Sequence, residues 1–134
     1  MADPLPEWAY VPGQTPRHPD GAFDAFKADA ASGLTSDTAR LAVVWMQAGF
    51  FWETHELLEA VWMALPDGTP EKRLVQAAIQ LANAYLKARM GRPNATARLC
   101  EQIETLLQDL PPHLALPGLT QSDVRHQIAT LPTP

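Results

Sequence analysis

The sequence predicts an all-α protein, a compact antiparallel helical bundle of about five to six helices. Apolar residues recur at intervals of three and four along successive segments, which is the spacing of amphipathic helices. No segment shows the strict alternation of apolar and polar residues that is typical of a β-strand. Of the 13 prolines, five precede residue 20 and five follow residue 110, so the middle of the chain can form long helices.

The proline-rich start of the chain predicts an extended N-terminal arm over residues 1–19, followed by a single helical domain over residues 20–134. Either the arm packs Trp8 or Tyr10 onto this domain, or it remains disordered. With 46% hydrophobic residues, a chain of 134 residues can build one hydrophobic core.

The first two helices are predicted from their boundary residues. Asp20 can cap a short helix that carries two phenylalanines and ends near Gly33. Either Thr35 or Ser36 begins the second helix. The apolar stripe of this second helix consists of Leu41, Val44, Trp45 and Ala48.

Turn residues separate the third helix from the fourth. The third is predicted from about residue 50 to residue 65, before the turn residues at 66–69. Thr69 as the cap and Pro70 in the first turn begin the fourth helix, which continues to Gly91.

Two further helices are predicted toward the end of the chain. The fifth helix stops at Pro111, and its apolar face consists of Leu99, Ile103, Leu106 and Leu110. Thr120 and Asp123 resemble a capping box for a last helix that runs through Leu131.

Charge and cysteine content exclude several classes of function. The net charge is −5, and no cluster of Lys or Arg concentrates positive charge, so no nucleic-acid partner is expected. No apolar stretch approaches the ~20 residues that cross a bilayer, and the start lacks a signal peptide's apolar segment, so no membrane partner is expected. Cys100 is the only cysteine, which excludes an internal disulfide and favours a reducing compartment. We therefore expect a soluble, cytoplasmic protein.

The third predicted helix carries the most concentrated chemical signal in the chain. His55 and Glu59 are one helical turn apart and about 40° apart around the helix axis, so their side chains can touch. Trp52 lies on one flank of the pair and Trp62 on the other. An unsatisfied buried polar group costs about 1 to 3 kcal/mol, so the two groups must bond each other or a third group. The pattern predicts a polar site sheltered from bulk water.

Three interpretations of this site remain open. A divalent metal ion would take His55 and Glu59 as two ligands and would need further ligands from a second helix or water. A small-molecule ligand would lie beside Trp52 and Trp62, with Glu59 orienting His55. In a structural or protein-interaction domain, His55 and Glu59 would form a buried polar clasp. The HExxH motif of zinc proteases is incomplete, since Glu59 stands at its second histidine, so a protease is not predicted.

Further polar residues are candidate members of the site. Gln76 and Gln80 align on the fourth helix and can reach the pair, although a solvated polar face would show the same spacing. Glu56 ranks above Glu53, which is interpreted as a solvent-facing carboxylate. The remaining histidines are predicted to lie at the surface: His18, His113 and His126.

Residues 51–62 resemble a bacterial and archaeal family known as domain of unknown function 309. Its HxxxExxW signature is matched by His55, Glu59 and Trp62, and the resemblance extends along the fourth helix through Gln76 and Gln80. The resemblance covers about half of the chain. It implies an all-helical fold and a metal-binding role for the motif. Members often carry a histidine near the end of the fourth helix, which this chain replaces with Tyr85, Leu86 and Lys87.

The sequence assigns no reaction and leaves the oligomeric state open. Val43 and Met46 lie off the main stripe of the second predicted helix. If they form an exposed apolar stripe, a homodimer could form through it.

Overall fold

The computed structural model describes residues 2–134, and these residues form five α-helices, two short 3₁₀ helices and no β-strand. The 3₁₀ helices span Asp24–Lys27 and Ala30–Thr35. The predicted all-α bundle is therefore confirmed. The α-helices are α1 (Asp37–Gln47), α2 (Phe51–Ala64), α3 (Pro70–Arg89), α4 (Pro93–Leu107) and α5 (Gln121–Thr130).

Three of the five α-helices begin at the caps that the sequence predicts. The Ser36 side chain accepts a hydrogen bond from the backbone N–H of Ala39 and caps α1. Thr69 caps α3, which has proline in its first turn. Thr120 and Asp123 form the predicted capping box at the start of α5. These side chains satisfy backbone donors that the first helical turn leaves unpaired.

The segment before α1 differs from the prediction of one short helix. It forms two 3₁₀ helices, and Gly33 interrupts the second with φ 75° and ψ −139°. The Asp29 carboxylate accepts hydrogen bonds from the backbone N–H groups of Asp37 and Thr38 and from the Thr38 hydroxyl. Side-chain bonds of this kind compete with regular helix, and the left-handed conformation at Gly33 stops helix propagation.

The fifth predicted helix ends earlier than expected. α4 stops at Leu107, before Leu110, and Asp109 has a positive φ of 60°. An α-helix cannot continue through a left-handed residue, so Leu110 packs into the core from the connection that follows α4.

The hydrophobic core is built around α2 and α3. α3 packs most extensively against α4 and also against α2, and α2 packs against α1. The largest side chains that are fully buried include Trp45, Leu57, Leu58, Leu74, Leu81, Ile103 and Leu107. α2 therefore lies between neighbours on several sides, and only part of its surface is available for a site.

Val43 and Met46 face the interior, which removes the expected basis for a homodimer. Both side chains are buried in the core of the chain itself. The expectation of an exposed apolar stripe on this helix was wrong, because the connection after α4 and the residues around Gly118 cover α1 on that side.

The N-terminal arm contains no helix over residues 2–19, and it packs against the helices. The Trp45 indole N–H donates to the carbonyl of Pro4 at 2.8 Å. Arg40 makes two hydrogen bonds to the Asp3 carboxylate, at 3.0 and 3.1 Å. Of the two alternatives for the arm, the structure therefore has the packed one.

Within residues 2–134, no helix combines the length and the apolar character that crossing a membrane requires.

Candidate functional site

The site helix α2 is fixed to α1 by a buried threonine. The Thr54 hydroxyl lies within hydrogen-bond distance of the carbonyl of Ala42 in α1, at 3.1 Å, and of the carbonyl of Phe50, the residue just before α2, at 2.8 Å. Leu57, Leu58 and Val61 of α2 are fully buried. This packing sets the rotation of α2 and leaves His55 and Glu59 near the surface.

His55 and Glu59 form the predicted contact. Nε2 of His55 lies 3.0 Å from Oε2 of Glu59, and the two residues are one helical turn apart. The side chain of His55 is 29% exposed and that of Glu59 is 50% exposed. The pair is therefore present, but the expected shelter from bulk water is not.

Glu56 joins this pair as a third potential ligand. Within the described residues, one ligand atom from each of His55, Glu56 and Glu59 lies within 4.8 Å of the other two. The ammonium group of Lys27 lies 3.6 Å from Oε2 of Glu56 and 3.8 Å from Oδ1 of Asp24. The Glu56 carboxylate therefore already has a cation beside it.

This donor set fits a divalent transition-metal ion. An imidazole nitrogen with carboxylate oxygens is the ligand combination that suits zinc and related ions. All three donors come from less than two turns of one helix, so they can occupy only one side of a coordination shell. The remaining positions would be open to water or to another ligand.

Trp52 and Trp62 lie in different surroundings. The ring centroid of Trp52 lies 5.2 Å from that of Tyr10 and 5.9 Å from that of His18, so Trp52 packs against the arm. The ammonium group of Lys72 lies 4.0 Å above the ring of Trp62. Lys72 also bonds Asp67, which lowers the pKa of that carboxyl.

Gln76 and Gln80 lie along a groove between α3 and α4. Gln80 donates to Gln102 of α4 at 3.3 Å and accepts from Asn83 at 3.0 Å. Both glutamines line this groove together with Arg98 and other α4 residues. No hydrogen bond among residues 2–134 joins either glutamine to His55 or Glu59.

A second pair of histidine and glutamate, formed by His18 of the arm and Glu53 of α2, was missed from the sequence. Glu53 is completely buried, and the side chain of His18 is only 5% exposed, so the interpretation of both as solvent-facing was wrong. Nε2 of His18 lies 2.5 Å from Oε2 of Glu53, which also accepts the backbone N–H of Tyr10 at 2.8 Å. The His18 ring stacks on Trp8 with 4.4 Å between ring centroids.

One sequence signal could have identified Glu53 as buried. Glu53 stands four residues before Leu57, so it projects from the same face of α2 as a core leucine. No comparable signal exists for His18, because it lies in an arm without periodicity. The other oxygen of Glu53, Oε1, is buried and has no hydrogen-bond partner in the described part of the chain.

The comparison with protein families agrees with the motif. The profile of the family described as "Domain of unknown function (DUF309)" matches residues 40–99. The match begins within α1, includes all of α2 and α3, and ends within α4. No curated protein and no solved structure matches the chain.

The matched segment contains His55, Glu56 and Glu59, whereas His18 and Lys27 lie before it. The resemblance that the motif indicated is thus confirmed over the helices that carry the candidate site. This segment is similar to the DUF309 family of domains of unknown function.

Proposed function

We propose that this protein binds a divalent transition-metal ion through His55, Glu56 and Glu59. The observation that carries the proposal is the grouping of one imidazole and two carboxylates whose ligand atoms lie within 4.8 Å of one another. A metal ion that binds these donors offsets the repulsion between the two carboxylates, so metal binding would explain why they lie close together.

The exposure of the pair supports this proposal over a structural clasp. A clasp stabilises a fold when its groups are buried and fully bonded, whereas the Glu59 side chain is half exposed. A surface site is open to an ion from solution and leaves coordination positions for a further ligand. A small-molecule ligand would therefore bind at this site through the metal ion.

Calorimetric titration with Zn²⁺ tests the proposal. We expect one ion per chain for the wild-type protein and affinity at least about tenfold lower for His55→Ala and Glu59→Gln, a loss of about 1.4 kcal/mol per tenfold. His126→Ala is the matched control, because His126 is an exposed histidine on α5 and lies outside the site. Equal affinity of the wild type and His55→Ala would refute the proposal.

Lys27 provides a test of opposite sign. Its ammonium group lies 3.6 Å from Oε2 of Glu56, so its charge opposes the approach of a second cation. Lys27→Met is expected to bind Zn²⁺ more tightly than the wild type, with the largest difference at low ionic strength. Weaker binding by this variant would show that Glu56 is not a ligand.

A further inference from the structure

A second pocket lies away from the proposed metal site, where the turn between α1 and α2 meets the end of α3 and α5. Its volume is about 440 Å³, which lies within the range of about 300 to 1,000 Å³ that small-molecule sites occupy. The residues that shape it include Gly49, Phe51, Tyr85, Arg89 and Gln127. We call it the Arg89 pocket.

The guanidinium group of Arg89 is held in place at this pocket. Its Nη1 donates to the carbonyl of Gly49 at 2.7 Å, and its central carbon lies 4.4 Å from the ring centroid of Phe51. Phe51 in turn stacks on Tyr85, with 4.8 Å between ring centroids and 9° between the ring planes. Arg89 is exposed, but these two contacts favour one position of its charge before any ligand binds, which reduces the entropy lost on binding.

Gly49 gives Arg89 the space for this arrangement. Gly49 has a φ of +93°, and a Cβ atom at this position would lie 3.1 Å from Nη2 of Arg89. Any other residue would strain the backbone and crowd the guanidinium group. The glycine thus serves both the turn and the placement of the charge.

Arg89 has no acidic partner, although the chain is acidic overall. The chain has 15 acidic and 10 basic residues, yet no ion pair among residues 2–134 includes Arg89. The pocket lining contains no Asp or Glu. Cations are favoured in the last turn of a helix, which accounts for an arginine at the end of α3 but not for its fixed placement beside a cavity.

The rest of the pocket combines an apolar floor with a polar rim. Met46 and Leu119 are buried and form apolar parts of the lining. The Tyr85 hydroxyl donates to Oε1 of Gln127 at 2.8 Å, and burial raises the pKa of Tyr85, so the hydroxyl keeps its proton. This bond orients the Gln127 amide, whose NH₂ group has no hydrogen bond within the described residues.

From this arrangement we infer that the Arg89 pocket binds a small organic carboxylate with an apolar body. The carboxylate accepts hydrogen bonds from the free N–H groups of Arg89, and the apolar body packs against Met46 and Leu119. Planar guanidinium groups match carboxylates in geometry and charge, and an aromatic or aliphatic body of modest size fits the volume.

Titration with benzoate, followed by NMR of the backbone amides, tests the inference. We expect saturable shifts at Gly49 and Gln127, and affinity about tenfold lower for Arg89→Gln, as expected for loss of a hydrogen bond to a charged group. Arg98→Gln is the matched control, because Arg98 is an exposed arginine on α4 that lines a different groove. Unchanged affinity in Arg89→Gln would overturn the inference.

Two other probes separate charge from shape. Benzamide has the same ring without the charge, and it is expected to bind at least about fivefold more weakly than benzoate. Inorganic phosphate has charge without an apolar body and is expected to bind more weakly than benzoate. If benzamide binds as tightly as benzoate, the charge of Arg89 does not contribute to binding. If phosphate binds as tightly as benzoate, the apolar floor does not contribute.

Gln127→Leu is a second variant, which tests the pocket even if Arg89→Gln does not fold. Gln127 lies on α5 and does not contact the Arg89 guanidinium through a hydrogen bond, so its replacement leaves the charge in place. We expect benzoate affinity to fall at least about threefold, because the NH₂ group of Gln127 can no longer donate a hydrogen bond to the carboxylate. Unchanged or stronger benzoate binding by this variant would contradict the proposed polar rim.

Discussion

Two pairs of histidine and glutamate involve helix α2, and they differ in burial and in sequence separation. Glu53 is fully buried and contacts His18, which lies 35 residues earlier in the chain. Glu59 is half exposed and contacts His55 one turn away. The same two residue types therefore form a long-range internal contact on one face of the helix and a local surface contact on another. Burial, and not residue type, determines which pair is accessible from solution.

The two pairs should also differ in their energetic roles. Removing one partner of a buried pair costs about 3 to 5 kcal/mol, because the other charge stays buried without compensation. An exposed pair one turn apart on a helix contributes about 0.3 to 0.5 kcal/mol. We therefore expect Glu53 and His18 to stabilise the fold, and His55 and Glu59 to be free for binding.

The largest effect is expected from Glu53→Ala. This change leaves the imidazole of His18 and the backbone N–H of Tyr10 without their buried acceptor, and it should lower the free energy of unfolding by about 3 kcal/mol or more. Urea denaturation followed by circular dichroism measures the loss. Glu101→Ala, at an exposed position on α4, is the matched control. A loss below about 1 kcal/mol would mean that the buried pair does not stabilise the fold.

The second effect is stabilisation by zinc. At a free Zn²⁺ concentration 100 times the dissociation constant, the free energy of unfolding should rise by about 2.7 kcal/mol. The rise should persist in His126→Ala and vanish in His55→Ala. Thermal denaturation with and without Zn²⁺ measures both. A full rise in His55→Ala would place the bound ion elsewhere.

The third effect is the small cost of His55→Ala without metal. Because the pair is exposed and local, the free energy of unfolding should change by no more than about 0.5 kcal/mol. The same urea titration measures it in the presence of a chelator. A loss of about 2 kcal/mol or more would show that the exposed pair stabilises the fold, and it would contradict the expected difference from Glu53.

The smallest effect is expected at acid pH, at a carboxylate outside both pairs. Hydrogen bonds from the Thr38 hydroxyl and from backbone N–H groups lower the pKa of Asp29 below its ordinary value of 3.8. A lowered folded-state pKa stabilises the protein above the unfolded value, and this stability is lost as the pH falls through the folded value. Asp29→Asn should therefore flatten the decline in stability below pH 3.8. Urea denaturation at several acidic pH values measures this decline. The same decline in Asp29→Asn and the wild type would contradict the prediction.

The sequence predicts local features of this fold well. Thr69 and Thr120 cap their helices as predicted, and Ser36 is one of the two caps predicted for α1, because a cap depends on residues within three positions of it. The contact between His55 and Glu59 is likewise fixed by helix geometry alone. Each of these features needs no knowledge of how distant segments meet.

Contacts between distant segments could not be predicted in the same way. His18 contacts Glu53 from an arm that has no helical period, so no pattern in the sequence links the two residues. Gln76 and Gln80 show helical spacing, but the rotation of α3 in the bundle turns them toward α4. The burial of Val43 and Met46 depends equally on a connection that folds back over α1.

The position of His18 has a consequence for how this domain can be divided. The family match begins at residue 40, so the imidazole that contacts the buried Glu53 carboxylate comes from outside the matched segment. A fragment limited to residues 40–99 would lack both arm groups that bond the Glu53 carboxylate, the His18 imidazole and the backbone N–H of Tyr10.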